Sequence, residues 1–359
     1  MLNRPQNRSS KSLPSIPLSP EEEELYSAVL RPKLPETNLR RYYYRLGLLL
    51  LCVLTVGAAS NLFFMKLRQA RRQSEAAAAI VDLGGQVEYE EPGAIGDTFP
   101  RLRERLGKDF FQNVVQATFP AAATDADLAC LKNLPELDTL NLSRSGVSDA
   151  GLANLERLTR LVFLDLGRTK ISDEGLERLE GLNKLQELTL HDTRVTDAGL
   201  AHLEKLSKLQ VLDLGRTPTA DAGLVHLKKL KQLHALNLQG TQISNACLDH
   251  LVALTRLQEL DVSKTAITGE GLQRLKEIKR LRSLTLGGYL VTDDDLECLK
   301  DLPYLESLTL VHTLTSDAGL AHLQGLTNLQ TLNLRDTKVT DAGIQDLHDE
   351  LRNLKITRE

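Results

Sequence analysis

The chain has 359 residues, a net charge of −4 at neutral pH, four cysteines and no tryptophan. So mild a charge gives no argument for nucleic acid as a partner. Cys52, Cys130, Cys247 and Cys298 are too few and too scattered for a disulfide framework, and no two stand at CxxC metal spacing.

Residues 1–39 hold Pro5, Pro14, Pro17, Pro20, Pro32 and Pro35, with Ser, Asn and the run Glu21–Glu24. Such a segment cannot bury enough apolar surface to offset its ordering entropy, so the composition predicts a disordered tail. Lys11, Pro14 and Pro17 form a K-x-x-P-x-x-P pattern of the kind PPII-binding domains grip, although a solvated tail is the plainer reading. The next segment, 40–72, centres on 46–65, "LGLLLLCVLTVGAASNLFFM", which carries no charge. At ~1.5 Å per residue a helix of that length crosses a ~30 Å hydrocarbon core. Tyr42, Tyr43 and Tyr44 stand at one mouth and basic residues at both, which predicts one membrane anchor. Residues 31–45 contain five Lys or Arg and residues 66–80 four, so charge alone leaves orientation open. A short tail, an uncleaved anchor and a large following domain make a signal-anchor layout. That layout predicts the repeat domain outside the cytoplasm.

Residues 73–118 read as a cap. Residues 66–82 look helical and Gly84–Gly85 end them. "QVEYE", Gln86–Glu90, reads as a strand, and "FPRLRERLGKDFF", Phe99–Phe111, as an amphipathic helix. Phe99, Phe110, Phe111 and Phe119 concentrate here, as covering the apolar end of a repeat array requires.

From 119 to 350 the chain is periodic, with 351–359 closing it. Thr124–Asp125 recurs as Ser148–Asp149, Ser172–Asp173, Thr196–Asp197 and onward to Thr340–Asp341, every step 24 residues. One repeat reads L-x-x-L-x-L-x-x-T-x-V-T-D-A-G-L-x-x-L-x-x-L-x-x. Leu188 and Leu190 alternate as in a strand; Leu200, Leu203 and Leu206 are spaced as in a short helix. Such a coil cannot bury its own leucines, so coils must stack into an α/β solenoid with a parallel sheet on one face and helices on the other.

The frame resembles a leucine-rich repeat, close to the cysteine-containing subtype of F-box proteins, with Thr or Ser where that subtype has Cys. The layout also resembles bacterial membrane-anchored leucine-rich-repeat proteins. The residues that carry this are Gly84, Gly85, Val87 and Tyr89, then "DFF-x-x-V" from Asp109 to Val114, then the "TDAGL" repeats. The resemblance implies a binding surface and no reaction.

The repeated Asp reads as a helix cap with the preceding Thr or Ser. One carboxylate per coil does not supply the six to eight oxygens calcium wants. The Gly after it, as in Gly199, reads as a place where a neighbouring coil approaches, rather than a phosphate loop. Thr169, Thr193, Thr217, Thr241 and Thr265 form a ladder that can satisfy buried turn carbonyls, and Tyr289 interrupts it, which predicts a local distortion. His202, His226, His250 and His322 share one slot that Arg178 and Arg274 also fill, so partly exposed histidines are expected there rather than zinc. The strand face is the better functional candidate. It presents Phe163, Asp165, Arg168, Glu187, His191, Asp192, Asp213, Arg216, Asp261 and Lys264. These side chains make either a cross-strand ion ladder, worth ~0.2–1 kcal/mol per pair, or a polar docking face.

The function expected is a non-enzymatic, membrane-tethered module that binds a protein or another envelope component, with no cofactor. An architectural unit is the alternative, with self-association expected to be weak. An enzyme using His191 and Asp192 is the third reading. No nucleophile elbow, HExxH, P-loop or dinucleotide fingerprint supports it.

Overall fold

A computed structural model of the chain describes residues 20–21, 36–91, 100–288 and 290–358. Lys11, Pro14 and Pro17 with most of the expected disordered tail, Phe99, and Tyr289 with its expected distortion lie outside the described residues. The chain falls into two compact units, Met1–Met65 and Lys66–Glu359.

Helix α1, Glu36–Asp82, is 47 residues long and contributes to both units. All side chains of residues 46–65 are exposed. Among the described residues α1 is the one helix long and apolar enough to cross a membrane. Its last turns belong to the second unit and bury one face, Ala70, Gln73, Ala76, Ala77 and Ile80. That is the i, i+3, i+4 spacing of a helix packed on one side.

Two glycines end α1, each for its own reason. Gly84 takes the left-handed conformation, φ 91°. The Gly84 N–H donates to the Val81 carbonyl at 2.8 Å and the Gly85 N–H to the Ile80 carbonyl at 2.9 Å. This double closure satisfies carbonyls that the helix end would leave unpaired. A Cβ on Gly85 would lie 2.5 Å from the Thr118 carbonyl oxygen, so no side chain fits there.

Strand β1, Gln86–Tyr89, follows at once and pairs antiparallel with β2, Val114–Thr118. Between them run α2, Pro100–Leu106, and a 3-10 turn, Lys108–Phe110. Gly107, φ 79°, separates these two where one amphipathic helix was expected through Phe111. The two N-terminal motifs meet in one polar network. The Tyr89 hydroxyl donates to Asp109 Oδ1 at 2.9 Å. Gln73, buried on α1, donates to Asp109 Oδ1 at 3.1 Å and to the Gln112 carbonyl at 2.8 Å. It also accepts the Val114 N–H at 3.3 Å. Burial first, and then Asp109, push the Tyr89 phenol well above its usual range.

The remaining strands are β3 (Thr139–Asn141), β4 (Phe163–Asp165), β5 (Glu187–Thr189), β6 (Val211–Asp213), β7 (Ala235–Asn237), β8 (Glu259–Asp261), β9 (Ser283–Gly287), β10 (Ser307–Val311), β11 (Thr331–Asn333) and β12 (Lys355–Thr357). They lie in chain order in one sheet, parallel from β2 onward. Register advances by one repeat per strand, so Leu164, Leu188, Leu212, Leu236 and Leu260 stack inward. Short helices such as Asp173–Glu177 and Asp197–Leu203 return the chain on the other side.

The turn threonines do what their spacing suggests. Thr169, Thr193 and Thr217 donate to the carbonyl three residues back at 2.6, 2.6 and 2.7 Å.

The repeated Asp does a different job from the local cap expected of it. Asp173 reaches into the next coil, where Oδ1 accepts the Thr196 N–H at 2.7 Å and Oδ2 the Thr196 hydroxyl at 2.6 Å. Asp149 holds Ser172, Asp221 holds Ser244, Asp293 holds Ser316 and Asp317 holds Thr340 in the same way. The glycine makes room for this carboxylate: a Cβ on Gly199 would strike Asp173 Oδ1. Asp, Thr and Gly are thus one device spread over adjacent coils, and it holds the array in register.

Gly269 interrupts the ladder, because it has no carboxylate to offer Thr292. Asp295, at the position where other coils carry glycine, takes over. Its Oδ2 accepts both the N–H and the hydroxyl of Thr292 at 2.8 Å. Asp127 serves Thr124 identically, in the coil that no repeated Asp precedes.

Candidate functional site

Strands of three residues expose two side chains each on the sheet's outer face. Phe163 and Asp165, with Leu164 buried between them, set the pattern. Each strand then turns through a residue with positive φ: Arg144, Arg168, Asp192, Arg216 and Lys264. The left-handed conformation costs a side-chain-bearing residue about 1–2 kcal/mol. The turn recovers part of that by bonding to the next coil: the Arg168 N–H donates to the His191 carbonyl at 2.7 Å and the Arg216 N–H to the Gln239 carbonyl at 2.6 Å. Gly240 adopts the same conformation, φ 66°, without the steric cost. The turn therefore does not itself call for Arg or Asp.

Three of these residues converge. Arg168 Nε donates to Asp192 Oδ2 at 3.2 Å, and Arg216 Nη1 lies 3.7 Å from the same oxygen. One carboxylate is shared by two guanidiniums from flanking coils, so the trio carries surplus positive charge. All three side chains are 30–52% exposed, and exposed pairs of this kind contribute about 0–1 kcal/mol. His191 lies beside them, between Gly167 and Gly215 of the neighbouring coils. Its ring occupies the space a Cβ on Gly167 would need. His191 Nδ1 stands 3.6 Å from Asp213 Oδ2 and makes no hydrogen bond.

Asp165, Asp213 and Asp261 have a second role that strand alternation did not disclose. Their Oδ1 atoms accept the N–H groups of Gly167, Gly215 and Ser263, each at 2.9 Å. They close the turn after the strand, as Asn237 does for Gln239. Asp213 and Asp261 also line a shallow hollow of about 330 Å³ above Ala235, with Asn237 and Glu259. Phe163 pairs with Glu187 in the β4–β5 register, at the opposite end of the strand from the Arg168 turn. Lys264 lies at the far end, without an ion pair among the described residues. The ten candidate residues thus form a cluster around Asp192, an acidic hollow around Asp213, and outliers.

Burial first, helped by Asp165 and Asp261, raises the Asp213 carboxyl above its ordinary 3.8, while the Gly215 N–H and His191 lower it. An acid raised on folding gives its full stabilisation below 3.8 and loses it as pH rises through the folded value. Asp213→Asn keeps the turn acceptor and removes that loss. We expect a higher melting temperature at neutral pH and no gain below the ordinary aspartate value. Thermal unfolding across pH checks this, and a lower melting temperature at neutral pH would contradict it.

The helical face is self-paired in its first coils. His202 Nδ1 meets Glu180 at 2.9 Å and His226 Nδ1 meets Glu204 at 2.8 Å. Lys205 and Lys229 share those glutamates. Among the described residues no group of three or more His, Cys, Asp or Glu is placed to hold a metal. Cys247 replaces the repeated glycine, and burial pushes its thiol up to about 12, far from reactive.

The Leucine Rich repeat family model matches residues 158–179, 253–276 and 325–347. Each match falls in register with the 24-residue frame. These three segments match the leucine-rich repeat, and the other coils follow the same 24-residue frame. No curated protein matches the chain. Among solved structures, the repeat chain is similar to internalin C2 of Listeria monocytogenes, with 26% identity, 58% of this chain and 84% of that one covered, and a TM-score of 0.44. It is similar to a second Listeria monocytogenes internalin at 19% identity, covering 74% and 97%, with a TM-score of 0.45. A leucine-rich-repeat protein of Leptospira interrogans follows at 17% identity, covering 64% and 74%, with a TM-score of 0.41.

Proposed function

We propose that the protein is a non-enzymatic interaction module tethered to the bacterial cytoplasmic membrane by the apolar run of α1. Its leucine-rich-repeat sheet face docks a protein or envelope partner outside the cytoplasm. The observation that carries this is the Arg168–Asp192–Arg216 cluster. Its three residues sit in left-handed turns that another coil closes with Gly240, and their exposed pairing contributes little stability. The backbone of the turn recovers part of its cost from the next coil, but that return does not need Arg or Asp, and a partner best accounts for these side chains. Arg and aromatic side chains dominate binding hot spots, and Phe163 lies on the same face of the sheet.

His191 gives the enzymatic alternative little support, because its unpaired Nδ1 activates no nucleophile. Photo-crosslinking in cells from position 163 tests the proposal. A discrete adduct with one partner is the expected product; lipid or bulk protein alone would count against it.

A further inference from the structure

On the flank where helices end and strands begin, one column of side chains changes character along the array. In the earlier coils this column neutralises itself. Glu156 pairs with Arg178, Glu180 with His202 and Lys205, and Glu204 with His226 and Lys229. The same slot then becomes Lys228, Val252 and Lys276. Where Lys228 replaces the glutamate, His250 Nδ1 is left buried without a hydrogen bond. Four residues further along each coil, a second column runs Gln232, Arg256, Arg280, Tyr304. Neighbours in this column touch, since Arg256 donates to Gln232 and Arg160 pairs with Glu136 one coil-step apart. Arg280 therefore lies between Arg256 and Tyr304, and no carboxylate among the described residues pairs with it. Tyr304 is 55% exposed, the one large exposed aromatic among the described residues of the coils.

We propose that the flank formed by Arg256, Arg280 and Tyr304, with Lys276 beside them, is a second docking surface that binds an acidic polypeptide segment. The charge argument rests on particular cations: Arg274 pairs with Asp249 and Glu277, and Arg282 with Glu306, whereas Arg256, Arg280 and Lys276 have no carboxylate partner among the described residues. An acidic segment supplies the missing carboxylates, and paired Arg and carboxylate groups give strong charge-assisted hydrogen bonds. The exposed tyrosine decides for protein over other polyanions. Tyr and Arg together are the composition of protein hot spots. A single ring offers no stacking platform for successive bases, and an anionic bilayer would need only the cations. This surface is separate from the sheet face around Asp192, so it stands or falls independently of that reading.

The test uses the full chain in detergent micelles and a fluorescein-labelled glutamate-rich peptide, with binding read by anisotropy. Saturable binding that weakens with salt is expected. Tyr304→Ala and Arg280→Glu should each weaken it about tenfold or more. Lys170→Glu, an exposed lysine outside both surfaces, should leave it unchanged, and circular dichroism confirms that each variant is folded. The inference is overturned if the peptide does not bind saturably, or if Lys170→Glu weakens binding as much as Arg280→Glu. It is equally overturned if Tyr304→Ala binds as tightly as the parent. So it is if a single-stranded oligonucleotide or phosphatidylglycerol vesicles bind the flank more tightly than the peptide does.

Discussion

Gly269→Asp is expected to destabilise the repeat unit by about 2–4 kcal/mol, and adding Asp295→Gly is expected to restore most of that loss. Aspartate at 269 looks like a repair, since most other coils carry it there. The space is already taken, however: a Cβ on Gly269 would fall on the Asp295 carboxylate. Two carboxylates forced together repel and cannot both reach Thr292. Asp295→Gly alone removes the acceptor of the Thr292 N–H and hydroxyl. Thr292 is exposed, so water replaces part of the loss and the cost is about 1 kcal/mol. The double variant rebuilds the Asp–Thr–Gly arrangement of Asp173, Thr196 and Gly199. Thermal melting of the four chains, treated as a double-mutant cycle, measures the coupling. A double variant no more stable than Gly269→Asp alone would show that the inter-coil ladder is not the device described.

Gln73→Leu is the second large effect, also about 2–4 kcal/mol, confined to the cap. Leucine fits an apolar helix face by volume. It leaves the Val114 N–H and the Gln112 carbonyl buried without their partner, and Asp109 loses a donor. Each unpaired buried group costs about 1–3 kcal/mol. Repeat arrays depend on their end units, so faster amide exchange should spread from β1 and β2 into β3. Exchange measured by mass spectrometry checks this, and unchanged protection across residues 86–118 would refute the role given to Gln73. Tyr89→Phe should produce a weaker form of the same change, because only one bond of the network is lost.

Much of this fold could be read from the sequence, because a leucine period survives any detail of packing. The strand at Gln86, the glycine stop at Gly84–Gly85 and the turn threonines are local features, and local spacing reveals them. The ladder was not legible. Asp173 stands next to Ser172, so proximity in sequence suggests a cap in its own coil, while its bonds lie 23 residues away. The pair Gly269 and Asp295 is visible as two departures from the repeat, but only the fold shows that one compensates for the other. Gln73 is not legible because a glutamine among alanines and arginines reads as solvated. At the site, alternation accounts for Phe163 and Asp165 on the outer face, while Arg168 and Asp192 have the inward parity and are exposed only through their left-handed turns. It did not show that Asp165, Asp213 and Asp261 are committed to turns, nor that two arginines share Asp192.

The central claim is that function resides on the sheet face and not in the repeated helix motif. In-cell photo-crosslinking from position 163, compared with position 225 on the helical face, tests it most directly. Val225 is 43% exposed and Phe163 is half-buried, so accessibility alone would favour position 225. A discrete adduct from 163 that disappears with Arg168→Glu and Arg216→Glu, and no such adduct from 225, is the predicted result. The same adduct from both positions, or from 225 alone, would contradict the account.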